Sequence, residues 1–259
     1  MQASKSSVVE VSGNRVEVQQ LPGAPERPPL VFLHEGLGSI SLWRDFPARV
    51  AESTDCPVVV YSRYGYGNSD RLDAPFGVDY MHREALDALP ALLARLKLSN
   101  PILVGHSDGA SIALIYAGAS GAVRALVVMA PHVFVEDISV QSIAEAKIAF
   151  ETSDLPQRLA RHHRDPRATF YGWNDIWLHP DFRRWNIEAF LPQVACPVLA
   201  IQGYDDEYGT MAQVDAIASQ VQGPCEVLRL AECGHSPHRD QPERTLESVT
   251  AFVRRVASG

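Results

Sequence analysis

The stretch Gly105-His106-Ser107-Asp108-Gly109 sets a serine between two glycines, directly after the apolar run Ile102-Leu103-Val104 and before the helical run Ala110–Leu114. A strand-to-helix turn that tight needs glycines flanking the serine, because a Cβ at either place would crowd the neighbouring elements. Such a turn lifts the Ser107 hydroxyl clear of the sheet and points a helix N-terminus at it. A serine hydroxyl is a weak nucleophile until a base takes its proton and a third group orients that base. The chemistry therefore needs a histidine and a carboxylate from elsewhere in the chain.

Of the nine histidines, His235 follows Cys233-Gly234 after the last strand candidate, in a loop leading to the final helix. Gly234 lets the backbone turn sharply there and bring the imidazole over the sheet edge. His238 is the local rival, set beyond Pro237 and nearer the helix. For the acid, Pro197-Val198-Leu199-Ala200-Ile201 runs into Gln202-Gly203-Tyr204-Asp205-Asp206-Glu207. Asp205 and Asp206 are adjacent and point in different directions, so one can serve and the other is a turn or capping residue. The charge that builds on a carbonyl oxygen under attack needs prearranged donors. The turn His34-Glu35-Gly36-Leu37-Gly38 after Val31-Phe32-Leu33 offers the backbone N–H of Gly36, opposite that of Asp108.

These positions require a sheet whose strand ends converge. Val8–Val11 and Arg15–Gln20, separated by Ser12-Gly13-Asn14, read as a hairpin. The apolar runs Leu30–Leu33, Pro57–Tyr61, Ile102–Val104, Ala125–Met129, Val198–Ile201 and Val227–Leu230 read as strands buried on both faces. Helical patterns lie between them, near Leu42–Glu52, His82–Leu96, Gly109–Ala119, Ala212–Val221 and Glu243–Val256. The alternation predicts an α/β fold, with a mostly parallel eight-stranded sheet flanked by helices. Residues 131–195 break the rhythm with helical stretches, turns and the tryptophans Trp173, Trp177 and Trp185. A segment that long between two strands is too long for a plain loop. It is expected to be a helical cap inserted after the sixth strand, with its own core, over an α/β core of residues 1–130 and 196–259. Trp173 and Trp177 in the cap, and Trp43 after the oxyanion turn, are the expected substrate-pocket residues.

Composition narrows the function classes. The apolar fraction of 46% against 21% charged is that of an ordinary globular protein with a sizeable core. A net charge of −8 without a Lys/Arg run excludes the footprint of a nucleic-acid binder and of a basic membrane-surface helix. No apolar run approaches the roughly 20 residues that cross a bilayer. The start, Met1-Gln2-Ala3-Ser4-Lys5-Ser6-Ser7, is polar and carries no signal core. The four cysteines include no C-x-x-C pair, and His235-x-x-His238 has no third ligand, so neither a metal nor an organic cofactor is expected. The expectation is a cytoplasmic protein acting on a small molecule, with its oligomeric state left open.

The order of motifs resembles the α/β-hydrolase fold superfamily over nearly the whole chain. The matching residues are the His34 turn, Ser62-Arg63-Tyr64-Gly65-Tyr66-Gly67-Asn68-Ser69, the 105–109 elbow, Gly203-Tyr204-Asp205-Asp206 and Gly234-His235. The resemblance, within its capped esterase and meta-cleavage-hydrolase branch, implies Asp206 as the acid, three residues after the glycine. It also implies Gly36 as the oxyanion donor, two residues after His34. A serine nucleophile sets the chain apart from the dehalogenase and epoxide-hydrolase branches, which use an aspartate there.

Two departures stand out. Relatives have His-Gly where this chain has His34-Glu35, and a carboxylate aimed into an oxyanion hole would oppose the developing charge. Glu35 is expected to point away, toward Arg63 or a cap residue. Relatives that hydrolyse carbon–carbon bonds have Asn before the serine and Trp after the histidine, where this chain has His106 and Ser236. The implied activity is a serine hydrolase cleaving a carboxylic ester, thioester or lactone through an acyl-enzyme, with Ser107, His235 and Asp206 as triad. The alternatives are a carbon–carbon bond hydrolase of ring-cleavage products and a weakly catalytic ligand receptor of the same fold.

Overall fold

A computed structural model of the chain describes residues 5–258, so Met1–Ser4 and Gly259 lie outside the described residues. Eight strands form one sheet in the order β1-β2-β4-β3-β5-β6-β7-β8. The strands are β1 (Lys5–Val11), β2 (Asn14–Leu21), β3 (Leu30–Leu33), β4 (Val58–Ser62), β5 (Ile102–His106), β6 (Ala125–Met129), β7 (Val198–Gly203) and β8 (Cys225–Leu230). The hairpin β1–β2 is antiparallel and joins β4 antiparallel; every pairing from β4 to β8 is parallel. The chain steps from β3 to β4 on one side and to β5 on the other. The carboxyl ends of β3 and β5 therefore flank the switch point where open α/β sheets bind ligands.

Alternation along the strands sorts side chains onto two faces. Leu30, Phe32, Val58, Val60, Ile102 and Val104 pack with Phe46 and Val50 of α1 (Phe46–Thr54) and Val249, Phe252 and Val253 of α10 (Pro242–Ala257). Val31, Leu33, Val59, Leu103 and Val128 pack against α2 (Tyr80–Arg83), α3 (Leu89–Leu96), α4 (Asp108–Ser120) and α8 (Ala212–Gln220). The helix α9 (Pro237–Asp240) precedes α10. In α10, Pro242 starts the helix, Glu243 lies at its positive end, and Arg254 and Arg255 lie at its negative end. The stretch Asp108–Ala117 of α4 is buried all round, and its small residues Ala110, Ala113 and Ala117 let it fit there.

Two helices differ from the expected patterns. The stretch 42–52 splits into a 3₁₀ turn at Ile40–Trp43 and α1, with Arg44 at φ 54° between them. Pro47 forbids a continuous helix, since its ring restricts the preceding residue and it donates no N–H. The second helix starts at Tyr80 and carries a π turn at Glu84–Ala88. Pro90 leaves the Leu86 carbonyl without a donor and needs room beside it, which the wider turn supplies.

Between β6 and β7 run α5 (Asp137–Thr152), α6 (Leu155–Leu159), α7 (Pro166–Trp177) and two 3₁₀ turns. Its apolar residues, including Ile143, Phe150, Phe170 and Trp177, belong to one continuous cluster with Leu33, Leu103 and α4. The insertion shares the main core instead of building its own. No helix among the described residues is long and apolar enough to cross a membrane.

The elbow sets the tightest packing. A Cβ on Gly109 would lie 2.0 Å from the Leu33 carbonyl oxygen, and one on Gly105 would lie 2.5 Å from the Ala110 Cα. Gly109→Ala is expected to lower unfolding free energy by about 3 kcal/mol through overpacking against backbone. Gly121→Ala, at φ +63° in open space, should cost only the left-handed backbone term, about 1–2 kcal/mol. Urea unfolding midpoints of the two variants check the contrast.

Candidate active site

Ser107 begins α4 in a strained backbone conformation, φ 53° and ψ −119°. The close approach of α4 to β3 makes room for that turn and sets the hydroxyl at the switch point. His235 Nε2 lies 2.9 Å from Ser107 Oγ, and His235 Nδ1 lies 2.9 Å from both carboxylate oxygens of Asp206. With the ring proton on Nδ1 donating to Asp206, the Nε2 lone pair faces the serine hydroxyl.

Asp206 is buried at the end of β7, and its oxygens accept from Tyr208 N–H (2.8 Å), Gly209 N–H (3.3 Å) and Gln202 Nε2 (2.8 Å). Burial alone would raise its pKa; the His235 charge and hydrogen bond, with the Tyr208 N–H, win and lower it from its ordinary value. Asp205 is exposed, and its N–H donates to the Cys233 carbonyl in the turn. Burial likewise pulls the His235 pKa down, but Asp206 more than offsets this and leaves it above its ordinary value. His238 is turned away from Ser107, against Trp43, Phe46 and His106.

A cavity of about 140 Å³ opens over Ser107 and His235, walled by Gly36, Leu37, Ile143, Trp173, Trp177 and Tyr208, with Glu35 and His132 also on its surface. Trp173 packs directly over Gly36, where a Cβ would lie 2.1 Å from the indole Nε1. No backbone carbonyl of the described residues accepts from the N–H of Gly36 or of Asp108. The Asp108 carboxylate is buried under the elbow, where Oδ2 accepts from Tyr80 OH at 2.7 Å and lies 3.8 Å from Arg63 Nη2. Trp177 Nε1 donates to the same Tyr80 oxygen at 3.0 Å, which ties the insertion to the elbow.

Trp43 is corrected. It is 2% exposed on the opposite face of the sheet, packed edge-on to Phe32 and stacked near Phe46, because the break at Arg44 turns the 3₁₀ segment toward α1. It does not line the cavity; Trp173 and Trp177 do. The Glu35 carboxylate meets neither of its expected partners, Arg63 or a cap residue. Arg63 donates to its backbone carbonyl at 3.0 Å, while its carboxylate faces His106 Nδ1 at 3.5 Å and Arg239 Nη2 at 3.8 Å. The backbone at 35 turns its carbonyl to Arg63, so the side chain exits on the α9 side. His34 accepts the Arg63 N–H at Nε2 (3.0 Å) and donates from Nδ1 to the Glu35 carbonyl (2.7 Å). Burial, aided by Arg63, holds its pKa well below the ordinary value, so the ring is neutral.

The sequence reading passed over His132 and Tyr208. The Tyr208 ring lies 4.8 Å from that of His235, and His132 packs edge-on to Trp177 at 5.0 Å. Burial, with the nearby His235, pushes the His132 pKa down to about 3. The signal available was position: His132 follows the carboxyl end of β6, and Tyr208 lies two residues past the acid. No group of three or more His, Cys, Asp or Glu side chains among the described residues could hold a metal ion.

Comparison with known proteins follows the same outline. Residues 30–248 match the model of the alpha/beta hydrolase family. The chain is 27% identical over 181 residues to the serine hydrolase BPHL of Homo sapiens, covering 64% of this chain. It spans 59% of the length of that relative. Haloalkane dehalogenase DbeA from Bradyrhizobium elkani USDA94 superposes with a TM-score of 0.80 at 20% identity, covering 99% of both chains. The esterase EaEST from Exiguobacterium antarcticum superposes at 0.75 and 18% identity, covering 96% of this chain and all of that one. At these identities the structural likeness is one of fold. With the family model matched along most of its length, the chain belongs to the alpha/beta hydrolase family.

Proposed function

We propose that the protein is a serine hydrolase that cleaves a small carboxylic ester through an acyl-enzyme. The observation that carries this reading is the unbroken hydrogen-bond chain from Ser107 Oγ through His235 to the buried Asp206 carboxylate. Ser107 Oγ attacks the acyl carbon as its proton passes to His235 Nε2. The carbonyl π bond opens to an oxyanion, which the N–H groups of Gly36 and Asp108 receive. The bond to the leaving alcohol then breaks, and the alcohol takes the proton from Nε2. A water repeats the sequence on the acyl-enzyme, releasing the acid and restoring Ser107. Thioesters and lactones would follow the same steps.

The cavity supports a small acyl group. A volume of about 140 Å³ is close to the roughly 150 Å³ of an apolar protein cavity that takes up benzene. Its walls of Trp173, Trp177, Ile143 and Leu37 suit an apolar chain or ring of about that size. The insertion acts in this reading as the cap that closes the acyl site.

Ser107→Ala should lower turnover of p-nitrophenyl butyrate by about 10⁴-fold or more, and a fluorophosphonate probe should label Ser107 as read by peptide mass spectrometry. Wild-type turnover by the alanine variant would exclude the mechanism. In a series of p-nitrophenyl esters, butyrate should exceed palmitate, and Trp173→Ala should move the optimum toward longer chains. The rate should fall on acidification as His235 takes a proton. Because its pKa is raised in the fold, the midpoint of that limb should lie above the ordinary histidine value of about 6.5.

A further inference from the structure

Two of the positions where the sequence departs from its relatives, 35 and 106, meet in space. His106 is fully buried at the end of β5, and its Nε2 lies 2.6 Å from the His235 carbonyl oxygen. A carbonyl oxygen only accepts, so Nε2 must carry a proton. The other ring nitrogen, Nδ1, has no hydrogen-bond partner among the described residues and lies 3.5 Å from Glu35 Oε2, an electrostatic contact. A neutral imidazole has one N–H, and here both of its nitrogens face oxygens that accept. The ring suits both neighbours only when both nitrogens are protonated.

We propose that Glu35 and His106 are a positioning pair for the catalytic base: Glu35 holds a second proton on His106, and the ring, so fixed, tethers the loop of His235 through its carbonyl. The proposal rests on the Ser107–His235–Asp206 reading. With a single ring proton the pair must choose. If Nε2 keeps the remaining proton, a lone pair on Nδ1 faces a carboxylate; if Nδ1 keeps it, the tether to His235 is lost. Either way the imidazole that must receive the Ser107 proton shifts, and catalytic geometry is sensitive to such displacements.

The surroundings fit this arrangement. Arg239, on α9, lies 3.8 Å from Glu35 Oε1 and also donates to the Leu42 carbonyl at 2.6 Å, so it holds the carboxylate from the side opposite His106. Burial would raise the Glu35 pKa, but His106 and Arg239 bring it well below the carboxylate range. The His238 ring packs edge-on to His106 at 5.1 Å; burial, then His106, lowers its pKa well below the ordinary value. Arg44 acts on His238 in the same direction. The His235 ring, itself paired with Asp206, lies 5.3 Å from His106. His132 and His34, the remaining titratable neighbours, have depressed pKa values and stay neutral. Glu35 is therefore the anion that balances His106, and its charge is directed to that ring and to Arg239.

The test is a pH profile of kcat/KM on p-nitrophenyl butyrate with an independent reading of the ring. The wild type should show the acid limb of His235. Glu35→Gln places an amide N–H toward Nδ1, which satisfies a neutral His106, so this variant should keep that limb while its His106 ring carries a single proton. His106→Phe, which keeps the packing and removes the tether, should lower kcat by about 10²-fold with little change in KM. In the Ser107→Ala protein, ¹⁵N NMR of the His106 ring at neutral pH should show both nitrogens protonated. Wild-type kcat in His106→Phe, or a neutral His106 signature, would overturn the pair. Failure of the Ser107 reading would appear separately, as turnover surviving in Ser107→Ala, while the NMR measurement still reports on the ring.

Discussion

The approach of α4 to the end of β3 is the constraint on which the other features depend. With no side chain at Gly109 the helix start lies against the Leu33 carbonyl, and with none at Gly105 the strand passes under Ala110. That contact leaves Ser107 the residue at positive φ, exposes its hydroxyl at the switch point and sets the α4 N-terminus beside the 34–38 turn. It also carries Asp108 beneath the elbow, where Tyr80 and Arg63 receive its carboxylate. Moving α4 outward by the width of a methyl group would disturb all four arrangements together.

Asp206, Asp108 and Glu35 each meet different partners around the candidate site, where the exposed Glu207 also accepts the His235 N–H at 3.2 Å. Asp206 faces His235 with donors from Tyr208, Gly209 and Gln202 behind it. Asp108 is held by Tyr80 and Arg63. Glu35 faces His106 and Arg239. Burying a carboxylate is costly unless it is paired and hydrogen-bonded. The separate pairing explains how a glutamate is accommodated in the 34–38 turn: its carboxylate is held by His106 and Arg239. Arg63 serves two of these arrangements, since it also fixes the 34–38 turn through the Glu35 carbonyl and the His34 ring.

The insertion matters through contact and not as an independent body. Its apolar side chains merge with those above the α4 face of the sheet. Trp177 shares its indole with the cavity and with the Tyr80–Asp108 hydrogen bond, and Trp173 rests on Gly36. Both tryptophans thus wall the cavity, and Trp173 also covers the 34–38 turn.

Much of this was legible in the chain. Continuous β-branched runs announce strands buried on both faces, and Gly-x-Ser-x-Gly between a strand and a helix marks the elbow, because these signals depend on local sterics and periodicity. The downstream His235 and the Asp205–Asp206 pair could be found by the same local logic, though resemblance chose between the two acids. Other features had no local signal. Pro47 breaks the first helix and Pro90 widens the second, and the rotation at Arg44 carries Trp43 to the far face. Tyr208 and His132 reach the cavity from separate strand ends. Residues 35, 106 and 239 are remote along the chain, and their pairing depends on where β3, β5 and α9 end. By itself the sequence determined the alternation of elements and the chemical types offered at each strand end, since those follow from short-range sterics and polarity. Only the tertiary structure decided which face Trp43 joins, which cation Glu35 meets and how much room the cavity over Ser107 leaves, because those depend on distances between elements that no stretch of neighbouring residues encodes.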